Sequence, residues 1–273
     1  MLSSSQRQRW SEHAIVKVMN VLWVLAHPDH RSLTAALHRE GVAALTDDGH
    51  TVEVSDLYAM KWNPVVDRDD YETGPERLHV GTESGLALAE GRLSQDIVAE
   101  QAKLDRADLV VLQFPLWWFG MPAILKGWVD RVFIRGYAYG LPDPERPGRT
   151  LRYGTGGLAG KRALAVVTVG GPEVSYQPRG IDGALEDLLF PLLHGTFWYT
   201  GMAPLPPVAL YGANYVSDEQ YRQAADDLRG RLATVESTAP IPYRHQNEGD
   251  YGEDMVLRHG IAAGRTGLDA HRA

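Results

Sequence analysis

The chain contains no cysteine among its 273 residues. That removes disulfides, thiolate nucleophiles and cysteine-ligated metals, and it suits a reducing compartment such as the cytoplasm. No metal site is expected. Positive charge is in short supply: 27 Lys and Arg against 35 Asp and Glu leave a net charge of −8. This argues against nucleic acid or an anionic membrane as the main partner. No apolar run approaches the roughly 18 residues that span a bilayer, so membrane insertion is not expected. Residues 1–18 are polar, lack the apolar stretch of a signal peptide, and read as a flexible extension ahead of the fold. What is present is ordinary for a globular chain, 44% hydrophobic and 23% charged residues, with ample length for a sizeable core.

The most informative stretch runs from 109 to 139, L-V-V-L-Q-F-P-L-W-W-F-G-M-P-A-I-L-K-G-W-V-D-R-V-F-I-R-G-Y-A-Y. Its apolar, β-branched start at 109–112 predicts a buried parallel strand. Leu116, Trp117, Trp118 and Phe119 follow without polar relief, and Gly120 and Pro122 then punctuate the entry to a helix over 123–133. Adjacent rings on one loop cannot all point inward. A loop at the carboxyl end of a strand in an open α/β sheet is a ligand position, so a flat aromatic ligand is expected to cover them. The alternative is that these rings are core.

Taken in order, residues 20–26 (N-V-L-W-V-L-A) predict a first buried strand, followed by the turn H-P-D-H-R-S-L-T and a helix over 35–45. Either Ser32 or Asp29 can cap that helix. Hydroxyls, the Arg31 guanidinium and helix-start amides suit a phosphate, although a capped helix start alone would look the same. The turn lacks the G-x-G-x-x-G of dinucleotide folds and the G-K-S/T of P-loops. A second strand is predicted at 51–55 and a long aperiodic loop at 64–91. A polar helix follows at 96–106, and a fourth strand at 161–169 ends in Thr168-Val169-Gly170-Gly171. The two glycines permit close approach and leave amides free to donate. A helix over 180–194, a fifth strand drawn from 197–202 with 208–211, and a charged helix over 217–235 complete the pattern. After Pro240 the tail is polar and weakly periodic. Strands alternating with helices predict an α/β, flavodoxin-like, doubly wound sheet of five parallel strands with helices on both faces. The loops at 32–34, 116–119 and 170–171 all fall on one sheet edge, an arrangement that suits a flavin.

With those loops in hand, the chain resembles the NAD(P)H:quinone oxidoreductases of the flavodoxin-like superfamily, the DT-diaphorase type and its bacterial relatives. The matching segments are L-A-H-P-x-x-x-S at 25–32, S-D-L-Y-A-M-x-x-N-P at 55–64, L-S-x-D-I-V-A-E-Q at 93–101, the stretch from 113 to 133, and T-V-G-G at 168–171. The resemblance implies a flavin-binding domain over 19–239 and a tail over 240–273 packing on the domain or a dimer partner. It implies FAD rather than FMN as cofactor, NAD(P)H as co-substrate, a quinone or related nitro or azo acceptor, ping-pong hydride transfer, and a homodimer with the site between subunits. By position, His27, Arg31, Ser32, Leu33 and Thr34 would hold the phosphates. Pro115, Leu116, Trp117, Trp118 and Phe119 would lie against the ring, and Thr168, Gly170 and Gly171 at its pyrimidine side. Tyr176 would be the active-site tyrosine and Tyr139 a tyrosine contributed across the interface. The chain departs from the mammalian pattern in carrying Asp182 for a histidine, Leu141 for a second interface tyrosine, and a longer polar segment at 142–158. Asp182 is expected to pair with Arg179 or another cation. Two rival readings are a flavodoxin-type electron carrier and a flavin-free scaffold.

Overall fold

The computed structural model describes residues 18–74 and 77–273; apart from Val18, the expected extension over 1–18 lies outside them. Four strands take the predicted places: β1 Asn20–Leu25, β2 Thr51–Asp56, β3 Leu109–Pro115 and β4 Arg162–Thr168. All seven residues of β3 and the last six of β4 are buried, as strands covered on both faces must be, which is why they read as unbroken apolar runs. The fifth lane is shared by two short pieces. β5 Ala203–Pro204 pairs with the start of β4 and β6 Val208–Leu210 with its end. Pro206 and Pro207 lie between them and donate no amide to the ladder. Every pairing is parallel, in the order β2-β1-β3-β4-β5, the flavodoxin-like order.

Alternate residues of the strands feed two cores. Trp23, Val111 and Leu164 meet helices α1 Leu33–Asp47 and α7 Asp218–Ala233 through Leu37, Leu45, Leu228 and Leu232. Leu22, Val110 and Phe114 meet α3 Gln95–Arg106 and α4 Ala123–Val132 on the other face. α1 lies so close to β1 that a Cβ on Gly41 would stand 2.2 Å from the Trp23 ring. On the opposite face the buried Glu100 carboxylate accepts from Ser55 Oγ (2.7 Å), Trp128 Nε1 (2.9 Å) and Lys103 Nζ (2.6 Å), so its burial is compensated.

Three sequence expectations change. The loop expected over 64–91 contains α2 Val80–Glu90, closed by Gly91 in the left-handed conformation at φ 68°. Gly81 and Gly85 hide the helix from a propensity reading; Ser84 and Ala87, buried on the domain, support it. The helix expected over 180–194 is broken into α5 Leu185–Leu188, α6 Phe190–Leu192 and a wide π turn at Leu193–Trp198. That turn occupies residues expected to start the fifth strand. After α7, the chain returns to the domain: the Ile241 amide donates to the Pro204 carbonyl at 2.8 Å, and Tyr243 is buried. Segment 142–158 is fastened to this tail through Arg146 to the Asn247 carbonyl (3.1 Å), Asn247 to Asp143 (3.2 Å) and Arg152 to Gln246 (2.6 Å).

Candidate active site

Three loops leave the carboxyl ends of β1, β3 and β4 and meet at one edge of the sheet. In the first, Ser32 is the cap of α1: its Oγ accepts from the Ala35 amide at 3.1 Å. Asp29 instead turns to its own loop, accepting from the Arg31 amide (2.8 Å) and guanidinium (3.1 Å). Those hydrogen bonds hold the exposed Asp29 carboxyl down at about 2. His27 Nδ1 accepts from the Asp29 amide at 3.0 Å. The Leu33 and Thr34 amides at the helix start have no protein acceptor among the described residues, and the helix dipole adds to their attraction for an anion. Arg31 points into solvent and is engaged by Asp29, so it would exchange that partner to reach a phosphate.

The second loop is a tight reversal. Trp117 N donates to Gly120 O at 3.1 Å and Gly120 N to Trp117 O at 3.0 Å. The two residues between, Trp118 and Phe119, have φ of 50° and 60°. Two central residues at positive φ mark a type I′ turn, a place ordinarily taken by Asn-Gly. Filling it with bulky aromatics stores backbone strain, and such strain gathers where a ligand is held. The turn stands the rings out: Trp118 is 97% exposed, Phe119 48% and Trp117 43%.

The third loop is tied to both others. Thr168 Oγ1 lies 2.7 Å from Thr34 Oγ1, and its carbonyl accepts from Leu116 N at 2.9 Å. Pro115, its ladder partner, is buried. The Gly170 and Gly171 amides have no protein acceptor among the described residues. A Cβ on Gly171 would sit 3.0 Å from the Tyr176 ring, and one on Gly170 3.1 Å from Asn214 Nδ2, so the missing side chains let Tyr176 and Asn214 pack close to this loop. Tyr176 packs on Tyr211 with centroids 5.7 Å apart. Burial, and then the nearby Asp182 carboxylate, push its hydroxyl pKa up. Asp182 donates its amide to Ser175 O at 3.0 Å. No ion pair joins Asp182 to Arg179 or another cation among the described residues.

Tyr139 is placed elsewhere. It lines a cavity of about 390 Å³ with Tyr199, Phe133 and Val66, its ring 6.5 Å from that of Tyr199. Within one chain none of the residues of the three loops shares this cavity. Two neighbours of the site escaped the sequence reading. Gln113 accepts from Trp23 Nε1 (2.8 Å) and donates to Thr34 O (2.8 Å), holding the first loop; a lone amide inside an apolar strand was the available signal. Asn214 lies on the loop after β6, where the unclear fifth strand left no landmark.

The edge therefore offers amides without a protein acceptor at a helix start, beside the Ser32 hydroxyl, then a raised aromatic platform and a second set of such amides beside a tyrosine. That is the donor set for a ligand anionic at one end and flat, with hydrogen-bonding ring atoms, at the other. The comparisons agree with this class. Residues 19–232 match the family model described as flavodoxin-like fold, and the chain belongs to that family. It is 48% identical over 243 residues to the ribosyldihydronicotinamide dehydrogenase-like protein traD of Penicillium crustosum, spanning 88% of this chain and 90% of that one. It is 39% identical over 227 residues to rat NAD(P)H dehydrogenase [quinone] 1, covering 82% and 80%. The crystal structure of a candidate quinone reductase from Klebsiella pneumoniae superposes with a TM-score of 0.90 at 46% identity, over 93% of this chain and all of that one.

Proposed function

We propose that this protein is a flavin-dependent oxidoreductase that passes two electrons from NAD(P)H to quinones. The observation that carries the reading is the strained Trp118–Phe119 turn raised beside the free Gly170 and Gly171 amides. FAD is the cofactor proposed, with Ser32, Leu33 and Thr34 at its diphosphate, helped by His27 and Arg31. Leu116, Trp117, Trp118 and Phe119 would hold the ring, and Thr168, Gly170 and Gly171 would meet its pyrimidine side. A bound flavin would supply the hydride-transfer chemistry between nicotinamide and acceptor. The chain's own contribution is orientation and electrostatics. The two glycine amides and the Tyr176 hydroxyl would offset negative charge on the pyrimidine side, preorganised as in an oxyanion hole. Trp118 and Phe119 offer one stacking surface to donor and acceptor in turn, which gives ping-pong kinetics.

A homodimer completes the proposal. Tyr139 and Tyr199 line a cavity that none of the residues of the three loops of their own chain shares, so a second copy would supply them. Trp118, Ile181 (94% exposed) and Val174 (72%) leave the apolar surface such a copy would cover. The test is anaerobic mixing of the flavin-loaded protein with NADH or NADPH, followed by steady-state assays against a quinone panel. Rapid bleaching and parallel reciprocal plots are expected. A flavin that stays oxidised would leave the electron-carrier reading, and a colourless protein taking up neither FAD nor FMN would leave the scaffold. Heat-released cofactor distinguishes FAD from FMN, and sedimentation the dimer from the monomer.

A further inference from the structure

A cavity of about 510 Å³ opens between the broken helix and the C-terminal tail. That volume is in the range of small-molecule sites, roughly 300–1,000 Å³. None of the residues of the three loops lines it; it touches the Tyr139 cavity only at Gly195.

Five rings form its walls in two sets. His194 is stacked on Phe190 (4.5 Å, 19°) and on Tyr153 (4.9 Å, 29°). Tyr251 lies nearly parallel to His271 at 14°, its hydroxyl 2.9 Å from His271 Nδ1. Met255 and Leu268 close the remainder.

The polar groups are few, and none of those lining the cavity is acidic, although the chain carries a net charge of −8. Arg152 lines it, and among the described residues it forms no ion pair. Its Nε donates to Gln246 Oε1 at 2.6 Å and its guanidinium lies 5.9 Å from the Tyr153 ring. The neighbouring acids are committed to other cations: Asp250 to Arg244 (2.6 Å), Asp187 to Arg272 (2.7 Å), and Glu253 to Arg149. His194 is only 9% exposed, yet no hydrogen bond holds its ring among the described residues. Burial, with His271 and Arg272 nearby, lowers its pKa to about 4, so at neutral pH it presents one donor and one acceptor.

We infer that this cavity is a second binding site, separate from the flavin edge, for a flat aromatic carboxylate of two or three fused rings. The acid meets Arg152, the ring system lies among the aromatic walls, and a polar ring substituent reaches His194. Arg and aromatic faces together favour such a ligand over an aliphatic acid, because the guanidinium pairs with the carboxylate while the rings stack.

Calorimetry on the flavin-loaded full chain with 2-naphthoate, and with uncharged 2-naphthylmethanol as control, tests the inference. One naphthoate should bind per chain. Arg152→Met should weaken naphthoate at least tenfold and leave the alcohol unchanged. Met255→Trp, which fills the cavity, should abolish both, and Trp118→Ala should alter neither. Leu268→Trp substitutes for Met255→Trp if thermal melting shows that variant unfolded. No heat at millimolar naphthoate overturns the inference. So does binding that Trp118→Ala removes while the cavity-filling variant retains it, since that places the acid at the flavin edge.

Discussion

The hydroxyls of Thr34 and Thr168 stand 2.7 Å apart, both side chains buried, and join the loop after β1 to the loop after β4 beneath the aromatic turn. Gln113 braces the same point by donating to Thr34 O. The contact between the two hydroxyls is the direct link between the phosphate-type donors and the glycine amides, with Gln113 bracing it from β3. Thr168→Val keeps the shape and strands the Thr34 hydroxyl, which should cost about 1–3 kcal/mol of stability. Urea unfolding of the flavin-free protein checks this, and flavin titration should show weaker binding. Unchanged values in both would make the contact incidental.

The left-handed pair Trp118 and Phe119 trades stability for exposed ring surface. Left-handed backbone costs a non-glycine residue roughly 1–2 kcal/mol, so Phe119→Gly should raise the thermal midpoint while slowing turnover. Trp118→Ala should leave the fold intact. Aromatic stacking is worth on the order of 1–3 kcal/mol, so kcat/KM should fall roughly ten- to a hundredfold. Melting curves and steady-state rates on the same preparations separate the two effects.

Arg131, almost fully buried in α4, is held by Asp70 Oδ1 at 2.6 Å and Asp96 Oδ2 at 2.7 Å and covers the Trp62 ring at 4.5 Å. This network ties the segment before α2 to the domain. Arg131→Met would leave the Asp70 carboxylate buried without its cation, a loss of about 3–5 kcal/mol. Burial alone would raise Asp96, but the Arg131 and Ser94 hydrogen bonds outweigh it and keep its pKa low. Stability from Asp96 is therefore present above its unfolded pKa and is lost as pH falls through the native one. Urea midpoints across acidic pH should show that loss in the native protein and less of it in Arg131→Met.

Two histidines act at milder pH. Burial is the main cause that lowers His38 and His194 to about 4, below the ordinary value of about 6.5. Between those values the unfolded chain binds protons that the native one does not, so stability falls as pH drops from about 7 to about 4 and levels off beneath. The His38 Nδ1 atom is buried without a partner among the described residues, and its ring lies edge-on to Trp23 at 5.4 Å. His38→Phe should therefore reduce the slope by about half without lowering stability at pH 7. A slope unchanged by the substitution would assign the effect elsewhere.

Tyr176 and Asp182 should separate in kinetics. Tyr176→Phe removes the hydroxyl proposed to offset charge on the cofactor, a loss of about 1.5–3 kcal/mol, or roughly ten- to a hundredfold in flavin reduction. Asp182→Asn should change that rate less than tenfold, because the carboxylate raises the Tyr176 pKa without donating a hydrogen bond itself. Stopped-flow bleaching by NADPH measures both; a larger loss in the aspartate variant would reverse the assignment.

The strands and their loops were legible in the chain because they depend on local composition. A strand covered on both faces must be apolar throughout, as β3 and β4 are, and the turn that follows must be punctuated by Gly, Pro or polar residues. That places Ser32–Thr34, Leu116–Phe119 and Gly170–Gly171 on one edge from the sequence alone. What tertiary structure decided are features whose cause is remote in sequence. α2 exists because Ser84 and Ala87 find a surface to cover, despite two glycines. The fifth lane is split because β4 offers pairing groups at both ends while Pro206 and Pro207 interrupt the chain between them. Ser32 rather than Asp29 caps α1 because Arg31 claims the carboxylate. The left-handed turn at Trp118 and Phe119 carries the most consequence. No propensity favours it; the two hydrogen bonds between Trp117 and Gly120 close it, between a β3 that ends at Pro115 and an α4 that begins at Ala123.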